Sequence, residues 1–277
     1  MKKNYLILII LFQLSSYLTN GQISVMTFNI RYDNPKDNQN WWEYRKSSVV
    51  QMFNFYSPEI IGIQEGLYHQ LKYIKNSLPE YDYVGVGRDD GKTKGEYAAI
   101  FYKKKKFRPI SSETYWLSET PKVISIGWDA SMERIVTFGE FQDKDTKESI
   151  FIYNCHFDHR GKLSRENSAK LILDILEKNE IEINKIIFMG DLNCIPDSKP
   201  IKILKSKLED SYEISLKKPY GPNGTSNGFN LDRLIERRID YIFTKNIEVL
   251  EHRIIDDRRT NNLFISDHLP VITKINY

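Results

Sequence analysis

The strongest constraint on this chain is the number and grouping of its strand-like segments. Residues 23–28 are β-rich and alternate in polarity, and residues 60–63 form a short apolar run of the buried-strand kind. Two helix-period patterns accompany them. Val49, Met52, Phe53 and Tyr56 recur at i, i+3, i+4 and i+7, and Leu67, Leu71, Ile74 and Leu78 mark a second apolar stripe. Strands then follow one another directly, at residues 81–86, 96–102, 107–117, 134–141 and 149–156, with turn-rich gaps between them. Ala169, Ile172, Leu173 and Leu176 give a third helix, residues 185–189 a buried strand, and residues 239–243, 247–254 and 271–275 three more strands. Helices flanking two strand-rich halves predict a layered α/β sandwich rather than a simple βαβ series. No repeat, linker or low-complexity stretch interrupts residues 22–277, so one domain is expected.

The first residues set an expectation about compartment. Lys2 and Lys3 precede a nearly all-apolar run at residues 5–14, and Thr19-Asn20-Gly21 places small or polar residues before Gln22. That is the order of a secretory signal peptide, with cleavage expected after Gly21 and the mature chain periplasmic or secreted. The run is about half of the ~20 residues that span a bilayer. No later segment is apolar and long enough, so a soluble, monomeric mature protein is expected. Losing Lys2 and Lys3 takes the formal net charge from +3 to +1, which leaves no whole-molecule electrostatic case for nucleic-acid binding. The lysines at 103–106 lie between two strands and read as a solvated turn. Cys155 and Cys194 are the only cysteines and read as buried free thiols rather than a disulfide framework.

The chemistry lies where strands end. Six strand-end clusters carry carboxylates, amides or histidines: Asn29-Ile30-Arg31, Gln64-Glu65, Asn154-Cys155-His156-Phe157-Asp158-His159, Asp191-Leu192-Asn193, Asp240-Tyr241, and Ser266-Asp267-His268-Leu269-Pro270. Taken singly, each has a plain explanation. Glu65 could open a helix, Asp240 could pair with Arg237 or Arg238, and His156 could be a satisfied core histidine. Together they predict one pocket, because strands that end at a common rim bring such groups into reach of each other.

In their order along the chain these clusters resemble the endonuclease/exonuclease/phosphatase superfamily, from residue 23 to Tyr277. Trp116-Leu117-Ser118-Glu119-Thr120-Pro121, Gly127-Trp128-Asp129 and Arg134 look like a bacterial secreted branch on its deadenylase-like side. The resemblance implies a four-layer α/β sandwich, two packed mixed β-sheets flanked by helices, that hydrolyses phosphoesters by activated-water attack. It implies Mg²⁺, or Mn²⁺ in its place, on Glu65 with Asn29 beside it and Asp267 assisting, since hard cations take oxygen ligands. Asp191 would position or deprotonate the attacking water, with Asn193 as its hydrogen-bonding neighbour. Asp240 would pair with His268 and fix its tautomer, leaving open whether Asp191 or His268 is the base. His156 would donate to a phosphate oxygen, oriented by Glu96, and His159 would stand behind the site.

The substrate is expected to be a small or lipid-linked phosphoester. A secreted nuclease is the alternative within the same chemistry. A binding module without catalysis would have lost polar groups from these clusters, and none is missing. Gly224-Thr225-Ser226-Asn227-Gly228 imitates a serine-hydrolase elbow, but Lys217-Lys218-Pro219 before it cannot form a buried central strand. A loop over the substrate mouth is expected there.

Overall fold

The computed structural model describes residues 21–179 and 182–277, so residues 1–20 of the expected signal peptide lie outside the described residues. Among the described residues, twelve strands build two sheets of six. The first contains β1 (Gln22–Asn29), β2 (Ile60–Gly66), β3 (Tyr81–Val84), β4 (Tyr97–Lys103), β11 (Glu248–Ile254) and β12 (Val271–Asn276), in the order β11-β12-β1-β2-β4-β3. The second contains β5 (Phe107–Trp116), β6 (Ile135–Asp143), β7 (Ser149–His156), β8 (Ile186–Asp191), β9 (Glu209–Asp210) and β10 (Asp240–Lys245), in the order β5-β6-β7-β8-β10-β9. Each sheet has one parallel pair, β1 with β2 and β7 with β8, among antiparallel neighbours. Both sheets are therefore mixed, as expected.

Central strands are apolar on both faces because both faces are covered. Val25, Ile60, Ile100, Ile152, Ile187, Met189 and Ile242 form the seam between the sheets. On the outer face of the first sheet, Met26, Phe28, Ile61 and Ile63 pack against α1 (Trp42–Tyr56) and α2 (Tyr68–Ser77) through Val49, Phe53, Leu71 and Ile74. On the outer face of the second, Tyr153, Cys155, Phe188 and Phe243 meet α3 (Lys162–Lys178) and α4 (Lys199–Leu204) through Ala169, Ile172, Leu176 and Ile201. The layers thus run helix, sheet, sheet, helix. Every strand expected from the sequence is present. The two-residue β9, the short helices α4 and α5 (Ser211–Ile214), and the 3₁₀ helix Pro35–Asn40 were not foreseen, being too short to show a period.

The lysine run turns the chain from β4 in one sheet to β5 in the other: Lys103 pairs with Glu59 at 2.8 Å and Lys106 with Asp143 at 2.9 Å. Cys155 and Cys194 are both free and buried. Trp42 and Trp116 are core residues, and none of the four tryptophans lines the pocket described below.

Candidate active site

Strand polarity decides which residues meet. Parallel pairing puts the C-terminal ends of β1 and β2 side by side, with Asn29 opposite Gln64, and sets His156 opposite Asp191 at the ends of β7 and β8. Antiparallel pairing brings the first residue of β10, Asp240, to Asp191, and brings the loop before β12 to the end of β1. All six clusters therefore reach one rim. The close approach of β7 and β8 needs Gly190, whose φ is +146° and whose added Cβ would stand 2.0 Å from the Cys155 carbonyl oxygen.

Asp191 sits at the centre. Its Oδ1 accepts from the Asn193 backbone N–H at 2.9 Å, and its Oδ2 accepts from Asn29 Nδ2 at 3.0 Å. His156 Nε2 stands 3.4 Å and His268 Nε2 3.7 Å from Asp191 Oδ2. Burial, reinforced by the neighbouring Asp240 charge, pushes the Asp191 carboxyl up to about 7. His268 Nδ1 faces both oxygens of Asp240, at 2.9 and 3.1 Å. Burial opposes a charge on His268, yet Asp240, Asp191 and Asp267 outweigh it and hold the imidazole well above the ordinary histidine range. His156 goes the other way, held low by burial and by Arg134 and Arg88.

Glu65 reaches the rim through a β-bulge between Ile63 and Gly66, at a left-handed φ of 61°. Arg31 and Asn193 are also left-handed, at φ 59° and 48°, so three strained non-glycine positions flank the pocket. Glu65 Oε1 accepts from Asn29 Nδ2 at 3.0 Å and Oε2 from the Tyr32 N–H at 3.1 Å. Asn29 thereby links Glu65 to Asp191, while its amide oxygen accepts from the Arg31 N–H. Ligation through that oxygen would require the amide to turn over. Arg31 stands 3.9 Å from Glu65 and 3.8 Å from Asp267, too far for a hydrogen bond to either. Burial, with the Glu65 charge adding to it, raises the Asp267 carboxyl.

Under-neutralised carboxylates with hard oxygen donors suit a divalent cation. Asp191, Asp240 and His268 also bring their ligand atoms within 4.8 Å of one another. His268 is a poor ligand there, because Asp240 occupies one ring nitrogen and the surrounding carboxylates keep the ring charged. The Glu65 side is the better seat.

Some supports were invisible in the sequence. The Gly224–Gly228 segment is a brace rather than a flap over the mouth, with Thr225 and Asn227 fully buried. Thr225 Oγ1 donates to Asp240 and accepts from the N–H groups of Ile239 and Asp240, and the Thr225 carbonyl accepts from Leu269 N–H at 2.7 Å. Glu96 does not orient His156 by a hydrogen bond. It is 3.9 Å away, and its two oxygens instead take a bidentate contact from Arg88, at 2.9 and 3.0 Å. Asn193 Nδ2 is the nearer partner of His156, 3.2 Å from Nε2. His159 lines the pocket instead of standing behind it, 2.9 Å from Arg134. The finished pocket holds about 390 Å³ and adds Arg31, Arg88 and Arg134 to its catalytic groups.

Two facing mixed sheets with this constellation on their common rim define a hydrolase of phosphoester bonds. The chain belongs to the Endonuclease/Exonuclease/phosphatase family, whose model matches residues 26–268. A member of that family from Bacteroides thetaiotaomicron superposes with a TM-score of 0.89 at 37% identity, over 93% of this chain and 98% of that one. The mannosyl-6-phosphatase of the same organism gives 0.87 at 37% identity, over 92% of this chain and 100% of that one. Among curated proteins, an uncharacterized protein of Acanthamoeba polyphaga mimivirus, L388, is 29% identical over 83% of this chain and 91% of its own length.

Proposed function

We propose that this protein is an exported phosphatase that removes phosphate from a small phosphorylated compound, a phosphorylated sugar being the first candidate, with Mg²⁺ or Mn²⁺ as cofactor. The observation that carries the reading is the pocket. A volume of about 390 Å³ suits a small molecule, and the guanidinium groups of Arg31, Arg88 and Arg134, with the charged His268, line it where a phosphate would sit. The likeness over full length to a mannosyl-6-phosphatase supports the sugar. A low net charge argues against a duplex, whose grip depends on many Lys and Arg contacts to phosphates.

Glu65, with Asp267 and Asn29 beside it, would hold the cation. When bound it neutralises charge that develops on the phosphate. Asp191, its carboxylate fixed by Asn193, orients the attacking water and shares its proton with the facing His268. Asp240 keeps the His268 ring aligned through Nδ1. His156 donates to a phosphate oxygen from Nε2 once the incoming phosphate displaces the Asn193 Nδ2 contact at 3.2 Å that sets its ring in this structure. The N-terminal segment supports export, and sequencing the N-terminus of the protein recovered from cell fractions checks it.

Function is tested by initial rates, with Mg²⁺, on sugar phosphates, a chromogenic diester, sphingomyelin, RNA and plasmid DNA at about 150 mM salt, where non-specific electrostatic grip on a nucleic acid is weakened. Phosphate release from sugar monoesters, abolished by EDTA and restored by Mg²⁺ or Mn²⁺, is expected. Rapid plasmid nicking with negligible rates on the small substrates would replace this reading with a secreted nuclease.

A further inference from the structure

Beside the catalytic pocket lies a second cavity of about 510 Å³, and Asn193 lines both. Its walls bring Lys162 and Arg165 from the first turns of α3, Lys199 from the start of α4, and Arg237 from the segment before β10. Glu166 is the one carboxylate among its lining residues, and Lys199 and Lys170 already neutralise it, at 2.7 and 3.1 Å. Among the described residues, no carboxylate forms an ion pair with Lys162, Arg165 or Arg237. A larger cavity, about 620 Å³ beside Tyr212 and Tyr220, shares no residue with the catalytic pocket and mixes Lys218 with Asp256.

The amide end of a helix is already positive, so basic side chains in the first turns are unfavourable there. α3 carries Lys162 and Arg165 at that end with no acidic residue in its first turn, and the Asp129 carboxylate that reaches it is taken up by the Leu163 and Ser164 N–H groups, at 3.2 and 2.6 Å, rather than by either basic side chain. Arg165 is also held in place, since Nη1 donates to the Asp158 carbonyl at 2.9 Å. That ties it to the buried Asp158, which accepts from the Ser131 N–H and hydroxyl and pairs with Arg134 of the catalytic pocket at 3.3 Å. Like charges gathered at the mouth of a cleft repel one another until an anion enters, and Arg and Lys recognise phosphate by charge-assisted hydrogen bonds. Cys194, Ile195 and Pro200 add an apolar side on which the uncharged part of a ligand can rest.

We propose that this groove is a second anion subsite, which takes a phosphate of the substrate other than the one being hydrolysed. The inference rests on the phosphoesterase reading above and narrows the substrate to a compound carrying two or more phosphates. The second phosphate could belong to a small bisphosphate or to the next residue of a short nucleotide strand, and the test separates the two.

Rates are measured on a hexose monophosphate against the matching hexose bisphosphate, and on a 5′-mononucleotide against a 5′-phosphorylated dinucleotide. The proteins compared are the native enzyme and a Lys162→Ala/Arg237→Ala variant, with melting temperature as the folding control. Lys162 and Arg237 are both exposed, so the variant should fold. The native enzyme should favour the second phosphate in one of the pairs by about tenfold or more in kcat/KM, the scale of a charged hydrogen bond. The variant should lose that preference while keeping its rate on the monophosphate within about twofold. A preference in the sugar pair identifies a small bisphosphate, and one in the nucleotide pair a strand. No preference in either pair, or a variant slowed equally on both members, would overturn the subsite. If the native enzyme hydrolyses no phosphoester, the phosphatase reading fails separately. Calorimetric binding of inorganic pyrophosphate in metal-free buffer then decides the groove: binding weakened in the variant supports it, and identical isotherms overturn it.

Discussion

Asp240 and His268 should behave as one unit, and a double-mutant cycle exposes that. Asp240 is 1% exposed and spends its oxygens on His268 Nδ1, at 2.9 and 3.1 Å, and on the Thr225 hydroxyl. It touches no open part of the pocket, so apart from the charge it exerts on Asp191 its effect on the reaction passes through the imidazole. Asp240→Asn exchanges a charged hydrogen bond for a neutral one. At roughly 1.5–3 kcal/mol for such a bond, the loss in kcat is about 10- to 150-fold. His268→Ala removes a group of the acid–base kind and should cost about 10²- to 10⁴-fold. Independent losses would multiply, whereas residues acting through one another leave the double variant within a few-fold of His268→Ala. The assay is kcat on a chromogenic phosphoester at saturating Mg²⁺, with circular dichroism confirming the fold. In Asp240→Asn the limb of the pH profile due to His268 should also move to lower pH, because Asp240 is a main cause of its raised value. A double variant whose loss equals the product of the two single losses would refute the relay.

Three further outcomes are expected. His252 is buried, its Nδ1 lies 2.9 Å from the Ser211 hydroxyl, and it is pushed down to about 3 by burial and then by Arg238. Its folded value lies below its unfolded one, so its contribution is complete above pH ~6.5 and is lost as pH falls toward 3, by about 1.4 kcal/mol per unit. Urea melts of His252→Gln should therefore show a shallower fall in stability over that window, and parallel curves would count against the assignment. Thr225→Val leaves the Ile239 and Asp240 N–H groups without their side-chain acceptor. At roughly 1–3 kcal/mol for buried polar groups left unpaired, it should lower Tm by several degrees and reduce kcat, and Thr225→Ser should restore both. Gly190→Ala sets a Cβ 2.0 Å from a backbone carbonyl oxygen at φ +146°, so soluble expression should collapse, and a well-folded variant would show that β7 and β8 can separate there.

Much of this was legible in the linear sequence for a simple reason. Apolar runs such as residues 60–63 and 185–189 need cover on both faces, and polar groups that terminate such runs are hard to explain by packing alone. Asn29, Glu65, His156, Asp191, Asn193, Asp240, Asp267 and His268 could therefore be named from strand ends, and the structure brings all of them to one rim. Thr225, Arg88 and Arg45 could not. Thr225 lies in a segment with neither helical nor strand period, Arg88 in a glycine-rich turn, and Arg45 one turn before Val49, where a charged residue type gives no sign of burial. Yet Arg45 is fully buried and donates to the carbonyls of Ile30, Asn40 and Ile265.

By itself, then, the sequence determined the layered class, the strands and the chemical groups at their ends, because periodicity and strand-end polarity are local properties. Tertiary structure alone decided the partnerships. Asn29 joins Glu65, 36 positions along the chain, to Asp191, 162 positions along it, Glu96 is claimed by Arg88 rather than His156, and a loop resembling a serine nucleophile elbow became the support of an aspartate. Such choices depend on which strand ends share a rim and on which buried donors are left over once the backbone is paired. Spacing along the chain contains neither.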